Sequence, residues 1–422
     1  MALTRRQLIA AGAGAAATHT VLPAVGRVGT AFGESRAAPH SSKRNRLVVI
    51  HLDGGNDGLN TVIPTAGRAY DVYRKVRPAL AYKPSQTLRL TGNLGLNAKL
   101  KTLHRLYGDD RVAIVQGVDY PDHSYSHFTS ADVWHSGEPG RAATSGWLGR
   151  HLDRVGVGDG ELRGVGIGRE LPLMLRGNKT SGIEIASIAS ARFADGTSAI
   201  ANARHDALAL FGHHARDDVL RRHVGLGARQ AVDLVDVLSK VPAAKSTGNP
   251  LGDAMLTART LLGLDLGVEV VFVRAGGYDT HTEQKGRHEQ LLAKLDAALE
   301  AFFYGTSAGE SLGVGGALPA SLASRTTVLV LSEFGRRIGE NGSGGGAGTD
   351  HGASAPVFVI GPRGRVRHGL HGDTPPLGTT AAPADNLVMT TDVRRLYATV
   401  LDDWLHDPDP LYRGVRPLRL FR

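Results

Sequence analysis

The sequence predicts an α/β protein with a mostly parallel central sheet and helices on both of its faces. Three observations carry this. Five short runs are continuously apolar rather than alternating, the mark of strands buried on both faces. The segments between them include helical spacing, clearest at Leu291, Leu292, Leu295, Leu299 and Phe302. Four polar clusters rich in Asp, Glu and His begin where one of the apolar runs ends, the place where open α/β sheets bind ligands.

Taken in order, "MALTRRQLIAAGAGAAATHT" has a short basic region and then a weakly hydrophobic Ala/Gly stretch from Leu8 to Ala17. It is too short and Gly-rich to span a bilayer, and its order fits a cleaved export signal. Arg5 and Arg6, followed by Gln7, Leu8 and Ile9, resemble the twin-arginine signal read by the bacterial Tat machinery. Residues 1–40 are therefore expected to be signal and linker. The mature protein is expected to be periplasmic or extracellular, with no stable membrane insertion.

Folded structure is expected from residue 45 to 422. The first strand lies in "RLVVIHLDGGNDGLNTVIP", the second is "RVAIVQGV", the third "GVEVVFVRAGG", the fourth "TTVLVLSEFG" and the fifth "APVFVIG". Residues 151–260 read differently, with helical stretches around "HDALALFGHHARDDVLRRHVG" and "ARQAVDLVDVLSKV", and are expected to form a helical insertion or cap. The Gly-rich "SAGESLGVGGALP" is expected to be a loop.

The formal charge is +9, and residues 1–40 account for part of it with four arginines against one acid. The remaining basic residues are scattered and not interleaved with aromatics, so no nucleic-acid partner is expected. The chain has no cysteine, which removes disulfides, thiolate catalysis and Cys-ligated zinc. A metal here must be held by oxygen and imidazole.

The clusters supply such donors. Asp53 follows the first apolar run, as a hard metal ligand or as an Asx-type turn. Ser124, Ser126 and His127 precede a helix, where a hydroxyl is either a cap or a nucleophile beside oriented N–H groups. Asp279 and His281 are two apart, so on extended backbone they share a face and can converge on one ion. The alternative is a helix cap by Asp279 or Thr280, with Glu283 in the first turn. His288 reads as a helix-face residue. Glu333 stands at the mouth of the crevice, and the Gly-rich segment after it lets the chain double back to bring Asp350 and His351 to the same place. Asp and His without thiolate suit zinc, manganese or iron better than calcium, in one or two divalent ions.

Together, "HLDGGNDGLN", "SHF", "GGYDTHTEQ", "SEFGR", "ENG" and "GTDHG", in this order behind a twin-arginine signal, resemble the bacterial family called domain of unknown function 1501 over about residues 45–420. That family is placed near the alkaline phosphatase and sulfatase superfamily, so the resemblance implies an alkaline phosphatase-like fold with a metal centre at the sheet edge. It further implies that Asp53 is the first-strand ligand, Ser126 the nucleophile, Asp279 and His281 a ligand pair, Glu333 the late strand-end carboxylate and His351 the last ligand. Three departures accompany it. Asp279 and His281 are closer in sequence than the superfamily's usual pair. The late strand ends in Glu333-Phe334 rather than Asp-His, so Asp350-His351 can be the counterpart of that pair, with Glu333 a supporting residue. No C/S-x-P-x-R motif lies near Ser126, so a formylglycine sulfatase is not expected.

The expected function is an exported, metal-dependent hydrolase of phosphate or sulfate esters, acting on a small-molecule or polymer ester. Ser126 or water would attack, and His127 or Arg336 would act as acid, base or charge clamp. The alternative is a noncatalytic exported binding protein that keeps the fold and a structural metal.

Overall fold

The computed structural model describes residues 44–422 apart from 157–161, 181, 189–205, 208–233, 236, 239, 243–244, 265 and 379–381. The expected signal segment lies outside the described residues.

Strands form at β1 (Arg46–Leu52), β2 (Val62–Pro64), β3 (Thr87–Arg89), β4 (Leu94–Asn97), β5 (Val112–Asp119), β6 (Gly164–Ile167), β7 (Ile183–Ile185), β8 (Val270–Ala275), β9 (Thr326–Leu331), β10 (Ala355–Ile360), β11 (Gly369–His371) and β12 (Thr391–Asp392). The helices are α1 (Gly67–Val76), α2 (Lys101–Gly108), α3 (His127–Ser136), α4 (Trp147–Val155), α5 (Pro250–Gly263), α6 (Gln284–Phe303), α7 (Ala320–Ala323) and α8 (Val393–Thr399). All five expected strands are present, as β1, β5, β8, β9 and β10.

The central sheet runs in the order β11-β5-β10-β9-β1-β8-β6-β7, with β12 also on β5. Every pairing in it is parallel except those of β10, which is antiparallel to both β9 and β5. Residues 332–354 return to the sheet without a crossover α-helix, a connection that suits an antiparallel strand. A second, antiparallel sheet, β2-β4-β3, stands apart.

The period of two in β1 divides the core. Val48, Ile50 and Leu52 face one side with residues of α2, α5 and α6, while Leu47 and Val49 face the other with residues of α3, α4 and α8. Each such buried aliphatic side chain contributes about 1.5–3 kcal/mol of transfer free energy. The sheet is thus covered on both faces, as expected from its unalternating strands.

Part of 151–260 departs from the expected helical insertion. Val165 and Ile167 of β6 join the core, and β6 pairs with β8 while β7 pairs with β6, so residues 164–185 extend the main sheet. Their runs of three or four residues are too short for a clear strand signal. The helical stretches expected at 205–225 and 228–241 lie mostly outside the described residues. None of the described helices is long and apolar enough to cross a membrane.

Candidate metal centre

Because β1, β5, β8 and β9 all point the same way, the loops that follow them meet at one edge. Backbone geometry draws them close. Gly54 has φ +118°, and a Cβ there would overlap the backbone nitrogen of Asp279, so the β1 and β8 loops touch only because this residue is glycine. The Gly-rich segment after β9 doubles back as expected, with bridges at Arg336–His351 and Asn341–Gly348. Gly348 in turn lies against the carbonyl of His281, where no side chain would fit. α6 begins at Gln284 with Glu283 as its cap residue, so Asp279, Thr280 and His281 belong to the preceding loop and none of them caps the helix.

Three imidazoles close around Asp279. His281 Nε2 is 2.9 Å from Asp279 Oδ1, His351 Nε2 is 3.1 Å from the same oxygen, and His127 Nε2 is 3.6 Å from Oδ2. His281 Nε2 and His351 Nε2 are themselves 2.9 Å apart. The opposite ring nitrogens fix the tautomers. His127 Nδ1 is 2.7 Å from Glu333 Oε1, His281 Nδ1 is 3.2 Å from Asp350 Oδ1, and His351 Nδ1 is 2.8 Å from the Tyr125 carbonyl. A carboxylate and a carbonyl can only accept, so each Nδ1 carries a proton. In the neutral rings all three Nε2 lone pairs then point inward. Two such lone pairs 2.9 Å apart repel unless a cation or proton lies between them.

This donor set fits a divalent metal. Ligand atoms placed tetrahedrally at zinc-like bond lengths of about 2.0–2.1 Å would be ~3.3 Å apart, and the distances from Asp279 to the three imidazoles bracket that value, with His127, Asp279 and His351 mutually close enough to share one ion. The Nδ1 partners reproduce the outer arrangement that orients metal-binding histidines. His127, Asp279, His281 and His351 keep between 23% and 46% of their side-chain surface exposed, so solutes reach them.

Asp279 is held by Arg336, whose Nη2 lies 2.7 Å from Oδ1. Partial burial works to raise the Asp279 pKa, but the hydrogen bond and charge of Arg336, helped by His351 and His281, bring it down to about 2. The His127 pKa is raised, chiefly by its hydrogen bond to Glu333.

Behind His127 runs a buried chain. Glu333 accepts from His127, from the Gly54 N–H at 2.8 Å and from His51 Nε2 at 3.2 Å, and His51 Nδ1 is 3.1 Å from His135 Nε2. Burial alone would raise the Glu333 pKa; these donors hold it well below the usual carboxylate range. Burial, with the neighbouring His51, drives the His135 pKa far down, so His135 is neutral.

The expected residues therefore separate into two groups. His127, Asp279 and His351 face one another, and His281 joins them through Asp279 and His351, whereas Glu333 and Asp350 stand behind histidines as supporting partners. Asp53 is beside Arg274 at 3.6 Å, and its nearest donor group is His51 and Glu333, which are already bonded to each other. Arg336 is buried and spends its guanidinium on the carbonyls of Gly54, Gly55, Tyr278 and Thr349 as well as on Asp279. It positions the β8 loop and is not available as a mobile acid, base or charge clamp. Ser126 is exposed at the start of α3 and makes no side-chain cap bond. His51, His135 and the Tyr125 carbonyl were not expected. The only signal for the first was a histidine two residues before Asp53 inside an apolar strand.

The search of curated proteins gives no match. Two solved structures align over most of the chain with low scores. "Crystal structure of Ps i-CgsB" covers 90% of this chain and 76% of its own at 7% identity and a TM-score of 0.36. The phosphonate monoester hydrolase SpPMH from Silicibacter pomeroyi covers 89% and 76% at 11% identity and a TM-score of 0.33. At these scores neither bears on the activity. The family described as "Protein of unknown function (DUF1501)" matches residues 114–418, which include most of β5, all of β8 and β9, and the loops that carry all four facing donors. With well over half of its length matched, the chain belongs to that family.

Proposed function

We propose that this chain is a metal-dependent hydrolase of phosphate or sulfate esters whose centre is His127, Asp279, His281 and His351. The observation that carries the reading is the inward turn of three Nε2 atoms onto one carboxylate, with each Nδ1–H tied outside. A divalent ion held there would neutralise charge on the ester oxygens. The protein's own groups do the rest. Glu333, Asp350 and the Tyr125 carbonyl fix the three rings, and Arg336 fixes Asp279. The N-terminus of α3 turns its free N–H groups and positive dipole end toward the same edge, which favours an anionic group. Water would attack phosphorus or sulfur directly, or Ser126 Oγ would attack first and water would then cleave the resulting seryl ester; in either case the bond to the ester oxygen would break and the proton lost by the nucleophile would pass to the departing alkoxide.

Export by the Tat route to the periplasm or exterior belongs to the same proposal, since a protein that acquires its metal in the cytoplasm must cross folded. A second reading, a noncatalytic metal-bearing binding protein, is favoured by one observation: among the described residues no base is hydrogen-bonded to the Ser126 hydroxyl.

Metal analysis of the purified full chain tests the reading, alongside His281→Ala and His351→Ala. Wild type should hold close to one equivalent of a transition metal, both variants should lose it, and a screen of phosphate and sulfate esters should give turnover only with wild type. Metal-free wild type after loading would sink the proposal. Metal without turnover would leave the binding protein.

A further inference from the structure

We infer that a cavity beside the centre is the subsite for an apolar organic group of the ester, so that the substrates are esters of a hydrophobic alcohol or phenol; this rests on the hydrolase reading above. The cavity, of about 350 Å³, lies between the small sheet β2-β4-β3 and the β5–β10–β11 side of the central sheet. That volume falls within the roughly 300–1,000 Å³ of small-molecule pockets. Leu59, Val62, Leu94, Leu370, Leu377 and Leu387 supply its apolar wall.

The inner polar side chains of the wall are already bonded within the protein, while Arg68, Thr91 and Asn93 are exposed at its edge. Gln116 Oε1 accepts from the Thr374 hydroxyl at 2.8 Å, and the Ser354 hydroxyl donates to the Leu387 and Val388 carbonyls at 3.2 Å. The interior is left with little to offer but apolar surface. The backbone is shaped for the cavity: the β5–β10 register shifts between Ala355 and Val357, and Gly117, opposite this bulge, has φ +58°.

Location connects the cavity with the centre. Ser354 is three residues after His351, and three residues of extended chain reach at most ~11 Å. Gly58, also on the wall, is in the same β1 loop as Asp53 and Gly54. Leu387 on the wall is tied to the centre's own support, because its neighbour Asn386 donates to the hydroxyl of Tyr125, whose carbonyl holds His351. An ester with its charged end at the histidines can therefore extend its organic end into the cavity.

The test uses the full chain and N-phenyl-1-naphthylamine, a neutral apolar fluorescent probe. Binding should be saturable at one per chain and unchanged in His281→Ala. It should weaken at least tenfold in Ala69→Trp, which fills the cavity from a half-buried position on α1, and in Leu370→Asp. Circular dichroism and thermal melting confirm that each variant folds. No saturable binding, or binding unaffected by both variants, overturns the inference. Turnover of naphthyl and methyl phosphate separates the two readings. Ala69→Trp should raise KM for naphthyl phosphate about tenfold and leave methyl phosphate unchanged. Turnover of both esters without that difference overturns the subsite and leaves the hydrolase. Probe binding without any turnover overturns the hydrolase reading and with it the assignment to an ester.

Discussion

Glu333 Oε1 lies 2.7 Å from His127 Nδ1, and Glu333 is itself 1% exposed. A carboxylate that buried cannot enter the cleft, so its influence on a metal runs through the ring it orients. Glu333→Ala should lower metal affinity by about 10–100-fold, the usual cost of losing an outer partner of a histidine ligand. Competition against a chromophoric chelator measures this. An unchanged affinity would mean that His127 is not a ligand.

Gly54→Ala should both destabilise the fold and disturb the centre. The new Cβ would overlap the Asp279 backbone at a φ that side chains rarely adopt, which costs on the order of 1–3 kcal/mol. Urea unfolding should register that loss, and metal affinity should fall with it. A wild-type urea midpoint would disprove the claimed close approach of the two loops.

Asp57 and Arg77 form an ion pair with both side chains fully buried, at 2.7 Å. Burial pushes the Asp57 pKa upward, but the charge and hydrogen bonds of Arg77, with His288, bring it below its ordinary value. A depressed carboxyl pKa contributes stability that is present above the unfolded value of about 3.9 and lost as pH falls through the folded one. Arg77→Ala, which strands the carboxylate, should cost about 3–5 kcal/mol at pH 7. Between pH 7 and pH 3 the wild-type urea midpoint should drop further than that of Asp57→Asn; equal drops would contradict the assignment.

Asp119 shows the opposite sign. Burial raises its pKa to about 7, its Oδ2 has no hydrogen-bond partner, and Asp392 adds to the rise. The folded state therefore holds this proton more tightly than the unfolded chain. Its contribution is fully present below about pH 3.9, declines as pH rises to the folded value, and stays low above it. Asp119→Asn, with no charge to bury, should gain on the order of 1–4 kcal/mol relative to wild type at pH 8 and less at pH 5. Equal gains at both values would remove the protonation argument.

Much of the fold could be read from the sequence because strands covered on both faces are apolar throughout. That property does not encode direction, however, and so β10 looked like its parallel neighbours. β6 and β7 were hidden by their brevity and by the glycines at Gly164, Gly166 and Gly168. Of the candidate centre, the convergence of Asp279, His281 and His351 was legible from spacing and strand-end position, and His127 was singled out, but as an acid, base or charge clamp. Burial makes the remaining difference. Glu333 and Arg336 follow a strand as an exposed pair would, and only the three-dimensional packing shows that one supports a ring and the other binds carbonyls. His51 and His135 lie 84 residues apart and become partners only across the face of the sheet.

The paired stem of the loop after β9 has one more consequence. Residues 342–345 form an exposed tip, while Asn341–Gly348 and Arg336–His351 clamp the strands below it. Glu333 and His351 are each secured on their own side of that stem, by the Gly54 N–H and His127 for one and the Tyr125 carbonyl for the other. A protease that nicks the tip, or an insertion that lengthens it, therefore changes chain continuity without shifting either residue, and the tip is the natural site for a reporter tag or a circular permutation.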